Sequence, residues 1–218
     1  MQTIHILNGE EMRRAFQQTG FLKGESMVPF NEAMCVGQTC ERIFSEKFIK
    51  LRALTHCVSE SDYRQITVEN LEAVFHHERN NLKLWFDEDM FCQINLLTLL
   101  GWLDQIGYEA KVELCLVHEL YTPIASYSIE VSGYHSLYKQ VLLDKVFPSQ
   151  VSLSPLRKGI ELYLNYREDD SELVRFINEH PNTQEDKLVE KMIAAFRAYG
   201  LGDVQYTHMI RSVRRADG

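Results

Sequence analysis

Leu82–Val117, LKLWFDEDMFCQINLLTLLGWLDQIGYEAKVELCLV, reads as strand, helix, strand, and the rest of the chain is best read outward from it. Leu82–Phe86 is a short apolar run that the charges of Asp87, Glu88 and Asp89 cut off, as at the end of a buried strand. Those carboxylates suit the first turn of a helix, where unpaired N–H groups carry partial positive charge. Met90, Ile94 and Leu97 then share one helical face, and Leu96, Leu100 and Leu103 an adjoining one, giving a stripe broad enough to lie on a sheet. Gly107 is a natural stop, and Lys111–Val117 alternates as a strand with one less apolar face. Two strands joined by a helix of this length are expected to be parallel.

The start repeats the pattern. Thr3–Leu7 is a strand ended by Asn8-Gly9, Glu10–Gln18 is helical, and Ser26–Phe30 is a second strand finishing at Asn31-Glu32. Met34–Thr39 reads as loop. Helices are predicted over Glu41–His56 and from Val68 to Glu78, a pair inserted before the central stretch. Ile124–Val131 has the alternation of an edge strand. Beyond Gly133 five helices are expected, over Ser136–Phe147, Ser154–Tyr166, Ser171–His180, Glu185–Tyr199 and Asp203–Arg215, broken by Pro148, Asp169-Asp170, Pro181 and Gly200-Leu201-Gly202. The expected organisation is an α/β domain over 1–133 and an α-helical domain over 134–218.

No apolar run reaches the roughly 18 residues of a membrane span, and the first residues lack the order of a signal peptide. This predicts a cytoplasmic protein without a membrane partner. The cysteines Cys35, Cys40, Cys57, Cys92 and Cys115 are odd in number and form no CxxC pair, which fits reduced thiols. All the excess negative charge lies in the first 133 residues, with 11 basic against 19 acidic side chains, so that part lacks the basic face that nucleic-acid phosphates require.

Four ordered segments carry a resemblance. IHILNGEEM at Ile4–Met12, FNEAMCVGQT at Phe30–Thr39, KLRA at Lys50–Ala53 and LWFDEDMFCQINLLTLLGWL at Leu84–Leu103 are similar to the bacterial domain of unknown function 1835 family. Gln38 stands where that family usually has proline, and Cys92 where it has aspartate. The resemblance spans Ile4–Val117 and implies a Rossmann-like α/β domain followed by a helical C-terminal part. It implies no activity.

In an open parallel sheet, ligands bind at the carboxyl ends of the strands where strand order reverses. Here those ends carry Asn8, Gly9 and Glu10, then Glu32, then Asp87 and Asp89, then His118, which are the candidate ligand-binding residues. Glu10, Glu32, Asp87 and Asp89 have the chemistry to hold a divalent metal together or to supply a general base. The plainer alternative makes Asp87 a helix cap and the glutamates solvated first-turn charges. NGEEM lacks the glycine spacing and lysine of a phosphate loop. His5 is expected as a hydrogen-bonded sheet histidine, His76-His77 as surface, and Trp85 and Trp102 as core. The last two helices, joined by Gly-Leu-Gly, have the outline of a helix-turn-helix, with Arg211, Arg214 and Arg215 as candidate phosphate contacts. Three functions fit these features: small-ligand binding or sensing in the strand-end crevice, metal-assisted hydrolysis or transfer there, and a transcription-related or interaction role of the last helices. No cofactor is legible.

Overall fold

A computed structural model of the chain describes residues 2–71, 74 and 80–216. The elements run β1 (Thr3–Leu7), α1 (Glu10–Thr19), β2 (Ser26–Pro29), α2 (Glu46–His56), α3 (Glu60–Tyr63), β3 (Asn81–Asp87), α4 (Met90–Gln105), β4 (Val112–His118), β5 (Thr122–Ile129), α5 (Tyr134–Tyr138), α6 (Ser154–Tyr166), α7 (Glu172–Asn178), α8 (Glu185–Ala195) and α9 (Asp203–Ala216). One sheet has the order β2-β1-β3-β4-β5, with β1 to β4 parallel and β5 antiparallel to β4. The chain leaves β1 outward to β2 and returns to β3 on the other side of β1. That reversal is the switch point of a Rossmann-like α/β sheet.

Helix α4 departs from the two-faced stripe expected of it. Every residue from Cys92 to Leu103 is buried, including Gln93, Asn95 and Thr98. The cause is its position, with β3 on one side and α5 and α6 on the other, so no face meets water. The buried cluster accordingly continues from Ile4 and Leu84 in the sheet through Ile160 and Leu188 to Ile210 in α9. Gly159 allows α6 to approach α4 closely, since a Cβ there would lie 2.5 Å from the Gln93 Cβ. The helix cap is Asp89, whose Oδ1 accepts from the Cys92 N–H at 2.7 Å, and not Asp87.

The opposite sheet face is covered differently. Helix α1 lays Met12 and Phe16 over Leu7, Trp85, Cys115 and Val117. The Trp85 indole N–H donates to His5 Nδ1 at 3.0 Å, so His5 is the satisfied sheet histidine expected, and it is 4% exposed. Burial lowers its pKa from 6.5, with Glu25 partly opposing and Lys83 adding to the effect. The unfolded chain therefore takes up the proton first, and the contribution of neutral His5 to stability is present above pH 6.5 and lost below it. Thermal melts between about pH 7 and about pH 5 are expected to show a larger loss of Tm in the wild type than in His5→Gln. Equal losses would mean that His5 carries no such linkage.

Other boundaries shift for local reasons. Ser45 accepts from Phe48 N and starts α2 at Glu46 rather than Glu41. The helix expected from Ser136 runs from Tyr134 and ends in a π turn, Lys139–Leu143, while Arg197–Tyr199 closes the α8 region as a 3-10 turn. The helix predicted from Val68 to Glu78 falls mostly outside the described residues, as do His76 and His77. Its described start belongs to a π turn, Arg64–Val68, and a 3-10 turn, Glu69–Leu71, that continue α3.

Candidate functional site

Beyond the carboxyl ends of β1 and β2 lies a cavity of about 450 Å³. The β1–α1 turn supplies Asn8, Gly9, Glu10 and Glu11, and the loop after β2 supplies Phe30 to Ala33. The end of α2 adds His56, with Val58 beyond it, and the π turn after α3 adds Ile66 and Thr67. Phe91, at the start of α4, closes the side toward β3. Gly9 is needed at its position because the backbone there has φ +92°, which side chains with a Cβ rarely adopt. The π turn is clasped to the β2 loop twice: Thr67 Oγ1 donates to the Asn31 carbonyl at 2.8 Å, and Asn31 Nδ2 donates to the Ile66 carbonyl at 3.0 Å. Asn31 Oδ1 also accepts from Glu10 N at 2.9 Å, tying this loop to the first turn of α1.

Under the cavity floor Glu32 and Arg52 form an ion pair with both side chains fully buried. Arg52 Nε donates to Glu32 Oε1 at 3.0 Å and Nη2 to Oε2 at 2.7 Å. Its remaining N–H groups go to the carbonyls of Val36 at 2.7 Å, Gln38 at 3.3 Å and Ala33 at 3.0 Å. All five guanidinium protons are thereby used. Glu32 also accepts from the Tyr63 hydroxyl at 2.7 Å and from Ala33 N at 2.6 Å. Burial alone would raise the Glu32 pKa, but Arg52 and His56 outweigh it and hold the carboxyl at about 2.

His56 Nε2 lies 3.2 Å from Glu32 Oε2 and 3.3 Å from Arg52 Nη2. Since both Nη2 protons are already donated, the Nε2 must be the donor toward Glu32. Its other ring nitrogen, Nδ1, bonds to no described residue. Its side chain is 29% exposed at the cavity wall, stacked on Tyr63.

The fully buried Asn95 of α4 joins the two loops. Its Oδ1 accepts from Met34 N at 2.9 Å, and its Nδ2 donates to the Glu32 carbonyl at 2.6 Å and to Asn8 Oδ1 at 3.0 Å. The Asn8 amide in turn donates to Cys92 Sγ at 2.8 Å.

The expected site residues thus divide. Asn8, Gly9, Glu10 and Glu32 come together at the cavity, although Glu32 has its acceptor positions filled from within the protein. Asp87, Asp89 and His118 do not line it. Asp87 Oδ1 accepts from Glu88 N at 2.7 Å. Asp89 turns under the backbone of Gly200, where a Cβ would fall 2.2 Å from its Oδ1, and burial raises its pKa to about 6. His118 is exposed at the end of β4. Glu10 is paired with Arg13 at 2.6 Å and Arg14 at 3.4 Å. Glu10, Glu32, Asp87 and Asp89, which have the chemistry to hold a metal together or to supply a base, do not all meet at this cavity, and the described residues contain no group of three or more His, Cys, Asp or Glu side chains that could hold a metal ion.

The chain matches no known family model, curated protein or solved structure. At the other end of the chain, Arg211 pairs with Glu185 at 2.7 Å, and Arg214 Nη2 donates to the carbonyls of Thr183 at 2.7 Å and His180 at 3.4 Å. Both arginines tie α9 to α8 and the turn before it; Arg215 is exposed. Sequence reasoning met Arg52 only as part of KLRA, without a role, and missed His56, Tyr63 and Asn95. The available signal was a polar residue inside an apolar face: Arg52 between Ile49 and Ala53, and Asn95 among the leucines of α4.

Proposed function

We propose that the protein binds a small molecule with an apolar body and a hydrogen-bond donor in the cavity between the β1–α1 turn and the π turn. The observation that carries this reading is His56, held through Nε2 by a buried carboxylate, with its Nδ1 bonded to no described residue, on the wall of a pocket that also includes Phe30, Val58, Ile66 and Phe91. Most other polar groups of the wall are already bonded within the protein, so a ligand would gain mainly from apolar contact, with one directed bond for orientation. Among the described residues, the wall contains no lysine or arginine to receive a phosphate or another anion, and Glu10 and Glu11 hold Arg13 and Arg14 in ion pairs of their own. A carboxylate-oriented imidazole is also the arrangement that moves protons in catalysis, and this is what favours an enzymatic form of the same reading.

The test is a thermal-shift screen of neutral and cationic compounds with apolar bodies against nucleotides and carboxylates. A ligand at a hundredfold excess over its Kd is expected to raise Tm by about 5 °C or more. Ile66→Trp, a filling substitution at a residue 48% exposed, is expected to abolish that shift while leaving the unliganded Tm nearly unchanged. A shift that survives this substitution would place binding elsewhere, and a panel answered only by nucleotides would overturn the ligand class.

A further inference from the structure

The two edges of the sheet differ in length and cover. On one side β2 is four residues long, ends in Pro29 and has the turn Glu69–Leu71 packed beside it. These are the usual ways of preventing a sheet edge from pairing with another chain. On the other side β5 is eight residues long, and no described element pairs with its outer edge. From Leu120 to Ile129, LYTPIASYSI, it contains no charged residue in a chain of net charge −8. Pro123 and a register shift at Ile124 lie near its start, and the strand is regular from Ala125 to Ile129.

The hairpin that feeds β5 is strained as well. Leu120 and Tyr121 both have left-handed backbones, at φ 57° and 59°, where a tight hairpin usually places asparagine and glycine. Leu120 is nevertheless a leucine, and it is 96% exposed. At the far end of the same strand is a groove of about 660 Å³, lined by Tyr127, Ile129, Leu137, Val151 and Leu153 among small polar residues, with Glu130 as its single charge.

We propose that β5 pairs antiparallel with β5 of a second copy about a two-fold axis near Ser126, and that Leu120 of each copy seats in the groove of the other. Leu120 lies six positions before Ser126, and Ser132 in the groove lies six positions after it, so such an axis brings knob and groove together twice. Strand pairing supplies main-chain hydrogen bonds, and the two seats fix the register. The self-complementary contact closes as a dimer and extends beyond the strand, as an interface of at least about 1,200 Å² requires. It also lets two strongly acidic chains meet on an almost uncharged surface.

Sedimentation velocity on the full chain tests this. The wild type is expected to be a dimer at about 10 µM. Ile124→Lys, a charge placed on the exposed strand, is expected to give a folded monomer with unchanged circular dichroism. Leu120→Gly removes the knob while suiting the left-handed backbone, so it is expected to weaken the dimer at least about tenfold without lowering the monomer's Tm. A wild-type monomer at about 100 µM overturns the proposal and leaves the edge to an extended peptide of some other protein. A dimer unaffected by Ile124→Lys overturns the strand pairing, and one unaffected by Leu120→Gly overturns the seat.

Discussion

Arg52→Met is expected to destabilise the protein by about 3–5 kcal/mol, the typical cost of removing one partner from a buried ion pair. Both side chains of the pair are fully buried, so solvent cannot take over the charge of Glu32. Three carbonyls, of Ala33, Val36 and Gln38, would lose their donor at the same time. Since a domain of ordinary stability has about 5–15 kcal/mol in total, the loss should be plain in urea unfolding monitored by tryptophan fluorescence. The pH dependence supplies a sign. In the wild type the Glu32 pKa falls from 4.5 to about 2, so its stabilisation is present above pH 4.5 and lost as the pH drops through that interval. Without Arg52 the buried carboxyl prefers its proton, so the gap between wild type and variant should narrow below pH 4.5. A gap that stays constant would mean that the cost comes from packing and not from charge. Replacing both partners, Arg52→Met with Glu32→Leu, should recover part of the loss, because the pair's desolvation cost disappears with it.

The second large effect is expected at Asn95. Asn95→Leu would leave the Met34 N–H, the Glu32 carbonyl and the Asn8 side-chain oxygen without their shared partner inside the protein. Met34 and Glu32 are buried, and each stranded buried group costs about 1–3 kcal/mol, so a total of about 2–6 kcal/mol is expected, with Asn8 at the cavity able to turn to solvent. The effect should also be local. Amide hydrogen exchange is expected to quicken around Asn8–Glu10 and Asn31–Met34, the two loops that Asn95 joins, well before it changes in β4. Uniform loss of protection would assign Asn95 to general core stability and not to holding the cavity's loops.

The α/β frame was legible because its signals are periodic. Apolar runs cut by Asn8-Gly9 and by Asp87-Glu88-Asp89 mark strand ends, and helical spacing after Gly133 marks the C-terminal helices. What periodicity does not carry is which element lies behind which. Helix α4 reads as two-faced, because a covering of its rear by α5 and α6 leaves no trace in its own pattern beyond the scarcity of charge. The site was half legible for a related reason. Strand ends pointed to Asn8, Gly9, Glu10 and Glu32, but they said nothing about direction. Asp89 turns toward Gly200, and Glu32 is taken by an arginine 20 residues away on α2. His56 became part of the wall only through the path of α2 and the turn after it, which length and composition leave open.

The complete burial of α4 has a bearing on how the chain is made. A ribosome finishes this helix at Gln105, while α6, which covers its rear, begins only at Ser154 and the buried cluster reaches as far as Ile210 in α9. At about 5–20 residues per second, the most apolar helix of the chain is out of register with its cover for several seconds of synthesis. During that interval Leu96, Leu99, Leu100 and Leu103 are without the surfaces they occupy in the finished fold. Until translation has passed α9, the nascent chain up to β5 thus carries apolar helix surface of the kind that makes incomplete chains prone to aggregate.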